Sequence, residues 1–335
     1  MDPVSRTAQI RSRLELLPVE IIQLIFLHSL EFNLPRASPY ISRMLSNTVI
    51  YTWLIRLAFS SANESSKHGY FTADFLPPPL DFWALSAQER RDLQSDILEC
   101  GWFTLPLIRK CQREYMEQVV RHKLHDLDFC PDDLPALDNI GRQYDNLEGC
   151  DKGLGGIRGK GDLILRAKDR ATKKEERVAL WFHYGALLVR PPKKLYDHLD
   201  IFQLPWCSVD WPPRIPDRLL SPPWTETKLE FLRLFSTSAY IDEDSTFPRS
   251  KRVLRQVIRD RDLATFEQLV KMYVIIKNYK YLLRWPVSTN VFSFALKHAD
   301  ERDDPFIKIL VDQRWEDIPA KASHLKEQLM SKAGV

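Results

Sequence analysis

The densest apolar patterning lies near the start of the chain, in residues 14–30, Leu-Glu-Leu-Leu-Pro-Val-Glu-Ile-Ile-Gln-Leu-Ile-Phe-Leu-His-Ser-Leu. Pro18 can open a helix there, because the first-turn N–H groups have no intrahelical partner and proline forfeits nothing. Asn33 and Pro35 close it. Val19, Ile21, Ile22, Leu24, Ile25, Phe26, Leu27 and Leu30 cover most of the circumference, and only Glu20, Gln23, His28 and Glu31 interrupt the coat. A surface helix needs one apolar stripe. Cover this wide predicts burial on two sides, one against the chain's own core and the other against a partner.

Further elements follow from the same pattern. Ser38 can cap a short helix with Pro39 at its first position, ending at Ser46 and Asn47. Ile50, Trp53, Leu54, Leu57 and Ala58 recur at helical spacing. Residues 60–66 read as a polar linker. Ser86 and Glu89 form a capping box for a helix carrying Leu93, Ile97 and Leu98, which Gly101 ends. From about Leu105 a long helix places Ile108, Cys111, Tyr115, Val119 and Leu124 on one face. Its other face alternates Arg109, Arg113, Glu114, Glu117 and Arg121, as a solvated surface does. Residues 131–148 show no regular period.

Leu163, Ile164 and Leu165 predict a strand, and the run from Arg177 to Val189 a second, longer one, apolar at both parities and so covered on both faces. The charged connection between them makes the pair an antiparallel hairpin at about 162–190. Residues 204–224 wander through Pro205, Pro212, Pro213, Pro216, Pro222 and Pro223 with three tryptophans, a strap over the core. From Arg249 the chain turns helical again, with an internal echo. Val253–Ile258 and Phe266–Val270 are answered by Val291–Leu296 and Phe306–Leu310, each copy a helix, a polar break and a second helix. This resembles the paired helices of ankyrin repeats without their Thr-Pro-Leu-His turn. Two copies need neighbours to bury their apolar faces.

The fold class expected is mainly α with a minor β-hairpin or small sheet. Residues 1–60 form a helical module, 61–245 a middle α+β unit with the hairpin and strap, and 246–335 the helical hairpins. Composition adds bounds. With 48 basic against 45 acidic residues among 335, the net charge is only +3, so any basic function must be local. Five scattered cysteines and no apolar run after a basic start fit a reduced, intracellular protein in cytoplasm or nucleus. No stretch is apolar enough for a membrane span.

The pattern Leu17-Pro18-x-Glu20-x-Ile22-x-x-Ile25-Phe26 resembles the opening of an F-box, the helical module by which substrate receptors attach to the Skp adaptor of cullin–RING ubiquitin ligases. Residues 33–39 and 51–59, and much of the remaining chain, are similar to a group of F-box-like proteins of filamentous fungi. In ordinary F-boxes an acidic-apolar turn follows the Leu-Pro helix, where this chain has Leu34-Pro35-Arg36-Ala37-Ser38-Pro39, and Trp53 lies later than their tryptophan. The resemblance implies a non-catalytic receptor. Its partners would be the adaptor and cullin ligase, through Leu17, Pro18, Glu20, Ile22, Ile25 and Phe26, and a protein substrate that the sequence does not name.

Other chemistry finds little footing. In the glycine cluster 153–161, Leu154 stands where a phosphate loop needs its first glycine, and Gly161 where it needs a hydroxyl for magnesium. His122, His125 and Cys130 lack the second ligand pair of a closed zinc site. Cys111 lies on an apolar face, where a small buried hydrophobe is expected. No enzyme, cofactor or metal is therefore expected. The richest basic run is 152–177, where Arg158, Lys160, Lys168, Arg170, Lys173 and Lys174 give the alternative reading, contact with nucleic acid or another polyanion. It contains no stacking aromatic, so a solvated hairpin tip is expected and nucleic acid is not.

Overall fold

Local capping sets out the N-terminal helices. The computed structural model describes residues 12–145 apart from 62 and 68, 162–192, 200–243 apart from 209, 248–277, 282–300 and 303–334. A 3-10 turn at Leu14–Leu16 leads through Pro18 into α1 (Val19–Ser29), which stops earlier than expected because Leu30 turns left-handed at φ 50°. The tetrapeptide Leu34–Ala37 coils as α2. Ser38 accepts from the Ile41 amide at 3.2 Å and opens α3 (Pro39–Leu45). Asn47, expected to close that helix, instead caps α4 (Thr48–Phe59) through the Val49 amide. Residues 60–66 are no loose tether. Ser60, Ser61 and Ser66 are buried, and the Ser61 amide and Asn63 side chain donate to the Gln203 and Ile201 carbonyls.

The expected capping box opens α5 (Ala87–Glu99). The spine of the molecule is α6 (Leu105–Asp126), packed on α4 and burying Ile108, Cys111, Tyr115 and Val119 as their spacing predicts. Two details of α6 differ. Leu124 is exposed, while the adjacent Lys123 is buried. Arg109 and Glu114 do not face open water: they form part-buried ion pairs with Glu230 and Arg56.

The expected antiparallel hairpin forms as β2 and β3, within a five-stranded antiparallel meander: β1 (Leu127–Phe129), β2 (Leu163–Asp169), β3 (Glu175–Trp181), β4 (Ala186–Arg190) and β5 (Asp200–Gln203), in that order. The run expected as one strand from Arg177 to Val189 is two, β3 and β4, paired Val178 to Val189. Gly185 at φ +54° makes the break, and a Cβ there would run into the Leu204 carbonyl and the Gln112 side chain. Residues 131–145 hold α7 (Leu134–Asp138) and α8 (Ile140–Asp145), both too short for periodicity to reveal.

The proline strap lies over the core as expected, with Leu204, Cys207, Ile215, Leu219 and Leu220 buried. Arg218 anchors it by donating to the Leu98 and Phe103 carbonyls, both at 2.9 Å. Thr225 then caps α9 (Glu226–Ser236), whose Phe231 and Phe235 join Phe59 and Phe103 in one aromatic cluster.

A second sheet combines β6 (Tyr240–Asp242), parallel β7 (Tyr273–Ile276) and β8 (Leu283–Arg284). Around it stand α10 (Arg249–Arg259), α11 (Leu263–Lys271), α12 (Thr289–His298), α13 (Pro305–Arg314) and α14 (Ser323–Ala333). The echoed segments form two helical hairpins, with α10 against α12 and α11 against α13, while α14 covers α12 and α13. Helices make up 55% of the described residues and strands 12%, a mainly α fold with minor β content. Among the described residues no helix is long and apolar enough to cross a membrane.

Candidate functional site: the outer face of the first helix

The two apolar faces of α1 meet different surroundings. Inward, Ile22, Phe26 and Leu27 are buried. Phe26 meets Phe32 edge-on at 5.8 Å between ring centres, and the Gln23 side chain donates to the Met44 carbonyl at 2.9 Å, fixing the helix on α3. Outward, Ile21, Leu24 and Ile25 are 41%, 43% and 37% exposed, and Leu16 in the preceding turn is 68% exposed. Residues three and four apart share a helix face, so Ile21, Leu24 and Ile25 make one continuous ridge. Exposed Glu20 and His28 flank it. Single exposed apolar side chains are ordinary, but a ridge of this kind with polar flanks is the form of a docking surface.

The six residues expected to meet a partner therefore divide. Pro18, Glu20 and Ile25 are exposed and Leu17 half-buried, whereas Ile22 and Phe26 belong to the chain's own core and no partner can touch them while α1 is packed. Leu16, Ile21 and Leu24 carry much of the presented surface and were not among the six residues expected to meet a partner. An apolar coat signals that two faces exist, but only the position of α3 decides which face is inward.

The basic run behaves differently. Arg158 and Lys160 lie outside the described residues, as does the glycine cluster. Lys168, Arg170, Lys173 and Lys174 sit on the β2–β3 hairpin, with acids among them. Arg170 pairs with Asp128 at 2.7 Å, Arg166 with Asp133 at 3.1 Å, and Lys168 stands in register with Glu175. Hydrogen bonds from Arg166 hold the Asp133 carboxyl below the usual range, and those from Thr172 do the same for Asp169. The charges of Arg166 and Arg170 are thus met locally.

The buried titratable groups are held by burial and by hydrogen bonds within the fold. Burial pushes the Cys111 thiol up to about 12, leaving almost no thiolate at neutral pH. A cleft lined by Asp242, Ile276, Leu283, Arg284, Arg314 and Asp317 has its buried polar groups already engaged. Asp242 accepts from both the amide and hydroxyl of Ser250, and Arg314 binds Asp317 and the Val270 carbonyl. His122 packs its ring edge-on against Tyr70 at 5.4 Å between ring centres. Among the described residues no three His, Cys, Asp or Glu side chains are grouped to hold a metal ion.

No family model, no curated protein and no solved structure matches this chain.

Proposed function

We propose that the chain is a non-catalytic, F-box-type substrate receptor that links a target protein to a Skp–cullin ubiquitin ligase inside the cell, in cytoplasm or nucleus. The observation that carries this reading is the exposed ridge of Ile21, Leu24 and Ile25, left over after Ile22 and Phe26 have filled the core. It coincides with the stretch whose Leu17-Pro18-x-Glu20 pattern resembles an F-box. Burying what remains accessible on these side chains and Leu16 contributes on the order of a few kcal/mol, enough to anchor a helix-in-groove contact. The stacked C-terminal hairpins, read as a degenerate ankyrin-like pair, then stand available for the recruited protein.

Co-expression with a Skp-type adaptor tests the reading. Wild-type chain should co-purify with the adaptor, and Ile21→Asp with Leu24→Asp should abolish capture while the circular dichroism spectrum and melting temperature stay unchanged. A wild-type chain that fails to bind where an ordinary F-box protein binds would overturn it.

A further inference from the structure

The most strongly one-sided helix of the fold is α10, Arg-Ser-Lys-Arg-Val-Leu-Arg-Gln-Val-Ile-Arg. Its Val253, Leu254, Val257 and Ile258 are buried, and its polar side carries Arg252, Arg255 and Arg259 at intervals of three and four residues. Neither α10 nor its neighbour α12 contains a single acidic residue. The guanidiniums of Arg255 and Arg259 lie 5.5 and 5.9 Å from the Phe294 ring of α12, against which the His298 ring also packs, tilted by 38° with 4.3 Å between ring centres. Lys297, one turn along from Phe294, is exposed. At the start of the stripe Asp217 is shared among Arg214, Arg249 and Arg252, at 3.2 to 3.5 Å, so one carboxylate faces three guanidiniums. Among the described residues the Arg255 Nε has no hydrogen-bond partner.

We propose that the outward face shared by α10 and α12, where Arg252, Arg255 and Arg259 line up beside Phe294, binds an acidic segment of a partner protein. An aromatic ring beneath two guanidiniums limits their freedom, and apart from the Arg259 Nη1 bond to the Gln256 side-chain carbonyl oxygen at 3.3 Å their planar N–H edges suit two-pronged contact with carboxylates. The stripe extends about 10 Å along the helix axis, which matches a few residues of extended peptide. Nucleic acid fits less well. Phe294 already carries Arg255, Arg259 and His298, leaving its ring ill-placed to stack a base, and three arginines meet few phosphates on a chain of net charge +3. As a substrate class this surface rests on the receptor reading above; as a binding site it does not, because it lies on helices remote in sequence from α1 and requires no adaptor.

The test uses the full chain and a fluorescein-labelled decaglutamate peptide, followed by fluorescence anisotropy at low and physiological salt. Arg252→Glu with Arg259→Glu changes two exposed side chains and should leave the melting temperature near wild type while weakening peptide binding at least about tenfold. Lys168→Glu with Lys174→Glu, the same change of charge on the β2–β3 hairpin, should weaken it far less. Equal losses in the two variants would reduce the binding to overall charge and overturn the proposal, as would no measurable peptide binding. Tighter binding of a single-stranded oligonucleotide through the same arginines would overturn it in favour of nucleic acid. Adaptor capture by the Arg252→Glu, Arg259→Glu variant is scored separately, so loss of peptide binding with adaptor binding intact, or the reverse, separates the two proposals.

Discussion

Helices α1 and α6 show that apolar content and burial are separate properties. Over 22 residues α6 alternates charges along one side, yet its fold neighbours α4, α8, α9, β1 and β4 enclose it, and even its polar side is drawn into ion pairs with Arg56 and Glu230. Eleven-residue α1 is far more apolar and rests chiefly on α3, so that Ile21, Leu24 and Ile25 stay at the surface. What buries a side chain is the number of elements the topology sets around it. A helix greasier than its surroundings can use has surface to offer another molecule.

Substitutions at the two helices should break or sharpen that contrast. The largest effect falls on the inner face of α1. Phe26→Ala empties a nearly fully buried site and should cost about 3–5 kcal/mol in urea unfolding, as core phenylalanine truncations do. A cost below about 1 kcal/mol would mean that α1 is loosely held and that its two faces do not differ. Next comes the polar side of α6. Glu230→Ala removes the carboxylate from Arg109, which keeps only Gln112 at 2.8 Å and the His183 carbonyl. Both partners are mostly but not wholly buried, so the expected loss is about 1–3 kcal/mol, less than for a fully buried pair. A neutral result would return this side of α6 to the class of solvated surfaces.

Alkaline pH probes the buried side of α6. The Cys111 thiol is raised by burial from 9.0 to about 12, and the Tyr115 hydroxyl, also by burial, from 10.0 to about 12. The folded state therefore holds protons that the unfolded chain releases. Stability from these groups is complete below pH 9 and is lost as pH rises toward 12, with Cys111 acting from pH 9 and Tyr115 from pH 10. By pH 10 the cysteine's part of that loss is on the order of 1 kcal/mol. Cys111→Ala should flatten the decline of unfolding free energy between pH 9 and 10 relative to wild type; parallel declines would show that the thiol is not sealed.

Features that depend on residues a few positions apart were legible in the sequence. The caps at Ser38 and Ser86, the inward set of α6 and the paired helices after Arg249 each declare themselves within one or two turns. Features set by distant partners were not. The run from Arg177 to Val189 is apolar at both parities, which hides the turn that Gly185 makes beneath the Leu204 carbonyl, and β1 and β5 are known as strands only by what they pair with. The same limit governs the charged surfaces. A count of cations alone picks out residues 152–177, where Arg166 and Arg170 meet Asp133 and Asp128 once folded. On α10 five cations and no acid fall within eleven residues, but interleaved with valine, leucine and isoleucine they read as one amphipathic helix, and only the fold shows which of them line its outer side.

The sharpest form of the comparison has the smallest effect on stability. Ile21→Asp with Leu24→Asp places two charges on the outer face of α1, within a turn of Ile22 and Phe26. If that face is surplus to the fold, the unfolding free energy should shift by no more than about 0.5 kcal/mol, the usual range for exposed positions. Self-association of the lone chain, followed by sedimentation, should fall at the same time, because the ridge that drives it has become polar. The pairing of the two readouts is what discriminates. A cost of several kcal/mol would place Ile21 and Leu24 in the core alongside Phe26, and unchanged self-association would leave the ridge without a surface property to explain.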